Sequence, residues 1–297
     1  KFYSPADYFF VMDVLITHYQ QRTTLRDSIS SIESQLSDDD TIYVVDAGST
    51  DGSFHILESL DAEGKIELIY VDGVSRGRGR QIAFEESNAD IVIAHADLDA
   101  IFYPILDDLA DIYQKVRSER GSGLLLAHGC FVSDRQTIRS VGGWNDLQVH
   151  EDKDLWIRAE GESRLYQMPI SVVKSHSNFE WDSLRYRLKR QYQNYRDAIR
   201  LGISPSLLRK SYREHQPISS WPIDSAIVSI AARNAADMAT YDTLENINMD
   251  PSRFHLRELT FRALVENGAI NPTVLDVPEN FTNHQSERAF PGRTSYH

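Results

Sequence analysis

Four short apolar runs, each followed by a stretch of helical periodicity or turn residues, constrain this chain's fold more than any other feature. Residues 13–17 (DVLIT) read as a buried strand. Residues 24–36 then place Leu25, Ile29, Ile32 and Leu36 on one helical face, with Thr23 or Thr24 as cap. Residues 41–45 (TIYVV) form a second strand, followed by the turn-rich AGSTDGS and a helix carrying Phe54, Leu57 and Leu60. Residues 66–71 (IELIYV) are a third strand ended by Asp72-Gly73, residues 81–87 read as helical, and residues 91–96 (IVIAHA) are a fourth strand. This rhythm predicts an α/β fold, with a Rossmann-like, mostly parallel sheet flanked by helices. Ligands of such sheets sit at the C-terminal strand ends, so the polar residues just after each apolar run are the ones that matter.

The second half of the chain has a different texture. From about Trp181 the pattern is almost purely helical, broken near Pro205, Pro217 and Pro222, and the last 25 or so residues read as an irregular polar tail. The expected organisation is an N-terminal extension over 1–12, a catalytic unit over 13–180 and a mostly helical region over 181–297. The opening KFYSPADYFFVM lacks the charged start and apolar block of a signal peptide, and Met12 is a candidate natural start. No apolar run reaches the ~18 residues of a membrane span. Cys130 stands alone, which points to a reduced, cytoplasmic setting.

The net charge of −13 argues against a nucleic-acid partner, which needs a basic footprint. Within this acidic chain, residues 182–213 carry nine Lys and Arg against Asp182 and Asp197. That block reads either as a solvated helix face or as a peripheral contact for anionic membrane headgroups or a lipid-phosphate acceptor.

The strand ends supply the candidate chemistry. The first gives Thr17-His18-Tyr19, the second Asp46-Ala47-Gly48-Ser49-Thr50-Asp51-Gly52, the third leads into Arg76-Gly77-Arg78-Gly79-Arg80, and the fourth ends in Asp97-Leu98-Asp99. Two other Asp-x-Asp triplets occur, Asp38–Asp40 in a polar loop and Asp152–Asp154, so the spelling alone proves little. Position separates them. Asp97 and Asp99 follow a continuous apolar run at the open edge of a buried sheet, where two hard oxygen ligands suit Mg²⁺ or Mn²⁺ carrying phosphate oxygens. Glu151 and Asp152 open an amphipathic helix that buries Leu155, Trp156 and Ala159; there they either complement the helix dipole or supply a carboxylate base. His176, after an apolar run, is the candidate third metal ligand.

In order, these segments resemble those of the family 2 glycosyltransferases, which have the GT-A fold. The matching pieces are Thr17-His18-Tyr19, Val45 to Gly52, Gly79-Arg80-Gln81, Asp97–Asp99, Gly142-Gly143-Trp144 and Glu151–Leu155, across roughly residues 13–178. Ala47 stands where the family usually has a second Asp, and Gln81 where it has Asn. The helical region after residue 180 matches nothing in the pattern.

The resemblance implies an inverting transfer of one sugar from a nucleoside diphosphate donor, UDP favoured, to an acceptor hydroxyl on a glycan, lipid carrier or protein. It implies that Thr17 and Tyr19 flank the nucleotide, Asp46 accepts from an imide N–H, and Arg80 contacts the diphosphate or sugar. Asp97, Asp99 and His176 would hold the divalent metal, with Asp152 as base and Glu151 as its alternative. The donor half spans about 13–100 and the acceptor half 101–180. Two rivals are a catalytically inactive sugar-nucleotide-binding module and a nucleotidyltransferase. The latter would favour a Gly-rich phosphate loop near the N-terminus, absent from residues 17–24. A dinucleotide oxidoreductase would need G-x-G-x-x-G after the first strand, and that spacing is missing.

Overall fold

The computed structural model describes residues 11–162, 164–175, 183–245, 261–266, 268–278 and 281. The elements run in the order β1 (Met12–His18), α1 (Leu25–Glu33), β2 (Ile42–Asp46), α2 (Ser53–Ala62), β3 (Glu67–Tyr70), α3 (Arg76–Glu86), β4 (Ile91–Ala94), β5 (Ala100–Phe102) and α4 (Leu106–Arg120). Then come β6 (Leu124–His128), β7 (Cys130–Asp134), α5 (Arg135–Ser140), α6 (Glu151–Glu160), β8 (Leu165–Ser171) and β9 (Val173–Ser175). Helices α7 (Leu184–Arg200), α8 (Pro205–His215), α9 (Trp221–Ala235) and α10 (Phe261–Glu266) follow, and β10 (Thr273–Val274) ends the series.

Eight strands form one sheet in the order β10-β8-β6-β7-β4-β1-β2-β3. Strands β1 to β4 are parallel, with β1 central to them, while β7 runs antiparallel to both β4 and β6. β1 and β4 are buried on both faces, as expected of a sheet covered by helices. Leu15, Val45 and Val92 face one apolar layer shared with Phe84 of α3, Leu155 of α6, and Tyr195, Leu208 and Val228 of the C-terminal helices. Val14, Ile16, Val44 and Ile93 face the other, with Leu25 and Ile29 of α1, Leu57 of α2 and Leu106 of α4. The helical region after residue 180 therefore shares a core with the sheet.

Several local expectations need correcting. Met12, read as the last residue of an extension, is buried in β1, and its amide donates to Asp40 Oδ1 at 2.7 Å. Residues 76–80, left out of the helix expected over 81–87, are the first turns of α3, capped by the Ser75 side chain. The glycines there had masked the helix. Gly79 is needed because a Cβ would stand 2.6 Å from Thr17 Cγ2, so its absence lets α3 lie directly on β1. The fourth strand stops at Ala94, two residues early, because His95 turns the chain with a positive φ of 62°. The expected irregular tail begins with an ordered piece: β10 pairs in parallel with β8, and the Leu275 amide donates to Gln167 O at 2.9 Å. That pairing satisfies backbone groups that β8 would otherwise leave unpaired at the sheet edge.

Candidate active site

A cavity of about 630 Å³ opens at the C-terminal edge of β1 to β4. Thr17, His18 and Tyr19 enter it from β1, Ala47 and Gly48 from β2, Asp72 and Gly73 from β3, and Asp97, Leu98 and Asp99 from β4. Arg76 of α3, Gln148, and Tyr186, Lys189, Arg190 and Gln193 of α7 complete the parts used below. The strand ends thus bring together Thr17, Tyr19, Asp97 and Asp99. Tyr19 is half exposed at the rim, and Thr17 Oγ1 donates to Arg76 O at 3.3 Å.

Asp46 is placed differently. It is fully buried, and its Oδ2 accepts from the amides of Gly48 (3.1 Å) and Ser49 (2.9 Å), while Oδ1 accepts from Ser49 Oγ at 2.6 Å. Its carboxylate is therefore spent on shaping the turn that puts Ala47 and Gly48 in the cavity wall. The exposed carboxylate on that wall belongs to Asp72, which the sequence showed only as part of a strand-ending Asp-Gly turn.

Behind the cavity lies a buried ionic cluster centred on Arg80. Its Nη2 stands 3.3 Å from Asp97 Oδ1 and 3.3 Å from Glu151 Oε1, and its Nη1 stands 3.1 Å from Asp152 Oδ2. Asp97 is the exposed end of the cluster, with 40% of its side chain accessible, whereas Arg80, Glu151 and Asp152 are buried. Arg76 lies 3.8 Å from Glu151 on the cavity side. Asp152 accepts further from Trp144 Nε1 at 3.0 Å and pairs closely with His95 Nδ1. Sequence reasoning missed His95. The signal was present in the apolar run ending Ala-His-Ala-Asp, read there as strand.

The segments of the motif series lock onto one another. Gln81 Oε1 accepts from the Trp144 amide at 2.9 Å, and Gly143, at φ 67°, leaves the space that Gln81 fills. Asp154 is buried and accepts from Asn145 Nδ2 (2.8 Å), Arg158 Nη2 (2.7 Å) and Thr243 Oγ1 (2.6 Å). The Asp152–Asp154 triplet therefore splits, with Asp154 fixing the loop that carries Trp144. Asp38–Asp40 is a turn, as expected, with Asp40 Oδ2 accepting from the Ser37 amide at 2.8 Å. Helix α7 holds the same region from outside: Asp197 Oδ2 accepts from the amides of Gln148 (2.7 Å) and Val149 (2.9 Å), just ahead of α6.

These contacts set the charges. Burial alone would raise the Asp152 carboxyl, but Arg80 and then His95 outweigh it and hold it well below the usual carboxylate range. Glu151 is pushed up, by burial and then by Asp152 beside it. Burial and then the neighbouring Asp97 also raise Asp99, while Arg80 and Arg76 overcome burial to lower Asp97. Two carboxylates that repel at a cavity edge suit a hard divalent cation, provided donor oxygens and water complete its shell. Among the described residues no cluster of three or more His, Cys, Asp or Glu could hold a metal. His176 lies outside the described residues.

Residues 13–142 match the model of glycosyl transferase family 2. A comparison with curated proteins finds no match. Among solved structures, the chain is similar to mannosyltransferase PcManGT from Pyrobaculum calidifontis, in complex with GDP-Man and Mn²⁺. Identity is 17%, 80% of this chain and 78% of that one are covered, and the TM-score is 0.51. It is also similar to S. aureus TarS 1–349 at 12% identity, over 75% of this chain and 72% of that one, with a TM-score of 0.49. Glucosyl-3-phosphoglycerate synthase from Mycobacterium tuberculosis, in complex with Mg²⁺ and UDP, shares 17% identity over 57% and 73% of the two chains, at a TM-score of 0.43. With strand ends, ionic cluster and motif order in one place, residues 13–142 are a glycosyl transferase family 2 domain on a GT-A fold, and the chain is a glycosyltransferase.

Proposed function

We propose that this enzyme moves one sugar, with inversion, from a nucleoside diphosphate donor to an acceptor hydroxyl, with UDP the favoured nucleotide. The observation that carries the reading is the pair Asp97 and Asp99 at the cavity edge, joined through Arg80 to Asp152. Asp97 and Asp99 would hold Mg²⁺ or Mn²⁺, with His176 as a further ligand in the proposal. When bound, that ion neutralises charge on the departing diphosphate.

The chain's own residues do the rest. Tyr19 and Thr17 flank the nucleotide, and the exposed Asp72 supplies an acceptor for an imide N–H, a role the buried Asp46 supports by holding the turn beside it. Arg80 keeps Asp97 and Asp152 ionised and fixed relative to each other, and through Asp97 it acts on the donor side. Asp152 takes the acceptor proton. Its low affinity for protons fits a late transfer, when the attacking hydroxyl has already become acidic through bond formation. One of its three donors must give way to the acceptor. Glu151 is the second reading for the base, favoured by its raised carboxyl.

The acceptor hydroxyl belongs to a glycan, a lipid carrier or a protein in this proposal. A cytoplasmic setting with peripheral contact to anionic membrane is supported by the exposed Arg185, Arg187 and Leu184 on α7. No helix among the described residues is long and apolar enough to cross a membrane. A screen of nucleotide sugars that scores nucleotide release with and without Mn²⁺ or Mg²⁺ tests the core reading. Metal-dependent turnover is expected; tight nucleotide binding with no turnover of any donor would leave the inactive binding module instead.

A further inference from the structure

We infer that the acceptor carries a negatively charged group of the phosphate class, recognised by the inward face of α7 through Lys189 and Arg190. This rests on the glycosyltransferase reading above and names the chemistry of its second substrate. Tyr186, Lys189, Arg190 and Gln193 follow i, i+3, i+4, i+7 spacing, so they share one face of the helix, and all four line the cavity. They lie outside residues 13–142, the stretch that matches the family.

The two walls of the cavity differ in character. On one side His18, Ala47, Gly48 and Asp72, at the ends of β1 to β3, offer no permanent cation. On the other, α7 presents two, in addition to Arg76 of α3, which pairs with Glu151 at 3.8 Å. Three observations put the α7 wall next to the base. Asp197 of α7 binds the amides of Gln148 and Val149, immediately before α6. Arg190 is close enough to help hold the His150 ring neutral, after burial and Lys153. Tyr186 interacts electrostatically with Arg76, which stands 3.8 Å from Glu151.

A neutral hydroxyl acceptor has no use for cations at this position. A phosphoryl group does: guanidinium can bind two of its oxygens, and ammonium adds a point charge. The same chemistry is found on a soluble phosphomonoester and on a lipid phosphate.

Calorimetric titration of the intact chain with inorganic phosphate, with and without saturating UDP and Mn²⁺, tests the inference. Phosphate should bind the wild type. The double variant Lys189→Gln/Arg190→Gln should lose at least about tenfold in phosphate affinity, the worth of one charge-assisted bond, while UDP affinity holds within about twofold. Lys189→Glu, at an exposed position that leaves packing intact, should shift phosphate binding in the same direction. Undiminished phosphate affinity in both variants would overturn the inference, as would an equal loss of UDP, which would assign the cations to the donor diphosphate. If UDP fails to bind the wild type, the donor reading falls, and the nucleotide-free phosphate titration still decides the acceptor claim. Displacement of phosphate by glycerol 3-phosphate assigns the group to a soluble acceptor. Displacement only by phosphatidic acid vesicles, and not by phosphatidylcholine, assigns it to a lipid; displacement by neither overturns the inference.

Discussion

Arg80 and Asp152 meet at 3.1 Å with both side chains almost completely buried, and the same guanidinium touches Asp97 and Glu151. One cation thereby ties the carboxylate at the cavity edge to the buried pair that opens α6. Removing it would strand carboxylates away from water. Arg80→Met should destabilise the fold by about 3 kcal/mol or more, and Arg80→Lys, which cannot fork to several partners, by less. Urea unfolding monitored by tryptophan fluorescence measures both; a loss under about 1 kcal/mol for the Met variant would refute the central role given to this residue.

Asp152→Asn keeps the shape of the side chain and its contact with Trp144 but removes the basic oxygen. Turnover should fall by about 10²–10⁴, with donor binding little changed. Steady-state kcat beside nucleotide titration separates the two effects. If Glu151→Gln is the more damaging substitution, the base has been misassigned.

Asp97→Ala and Asp99→Ala should each remove the metal dependence of nucleotide binding. Titrating UDP with and without Mn²⁺ reads this directly. Wild-type metal enhancement in both variants would rule these carboxylates out as ligands.

His150 is buried with its ring held neutral, by burial first and then by Lys153 and Arg190. Its proton affinity is lowered on folding, so its contribution to stability is complete above the unfolded value of about 6.5 and is lost as the pH falls below it. Stability should therefore decline below pH ~6.5, by up to about 1.4 kcal/mol per pH unit for this residue. His150→Asn, which tolerates the φ of 70° found here, should flatten that decline. Thermal melts from pH 7.5 to 5 on both proteins compare the slopes, and parallel curves would argue against the assignment.

Gly79→Ala places a methyl where Thr17 Cγ2 stands 2.6 Å away. The start of α3 must lift from β1, at a cost of about 1–3 kcal/mol, and Arg80 moves with it. A variant with wild-type stability and kcat would show that this close approach is dispensable.

The sheet was legible because buried parallel strands leave continuous apolar runs, as in residues 13–17 and 91–94, and because their polar ends collect at one edge. Asp97 and Asp99 were separable from their look-alikes on position alone. Local conformations were harder to read. Residues 76–80 were left out of the expected helix because glycine lowers helix propensity, although here Gly79 serves a close helix-to-strand contact. His95 looked like strand because nothing in Ala-His-Ala signals a positive φ. Asp46 looked like a ligand contact because a sequence does not say which way a carboxylate faces. The α7 wall was the least visible part. Its basic residues showed as a block, but which of them point inward depends on the Asp197 and Arg200 contacts that anchor the helix to residues 146–149.

The Asp197 anchor also ties the start of α6 to one helix. Two amides just ahead of α6 are held by a side chain from a helix outside the sheet, so the alignment of Asp152, the proposed base, is only as durable as the docking of that helix. Heat that loosens α7 while the sheet persists would leave a folded protein that still binds nucleotide and no longer transfers sugar. In that event the temperature at which transfer stops would lie below the temperature at which the sheet melts.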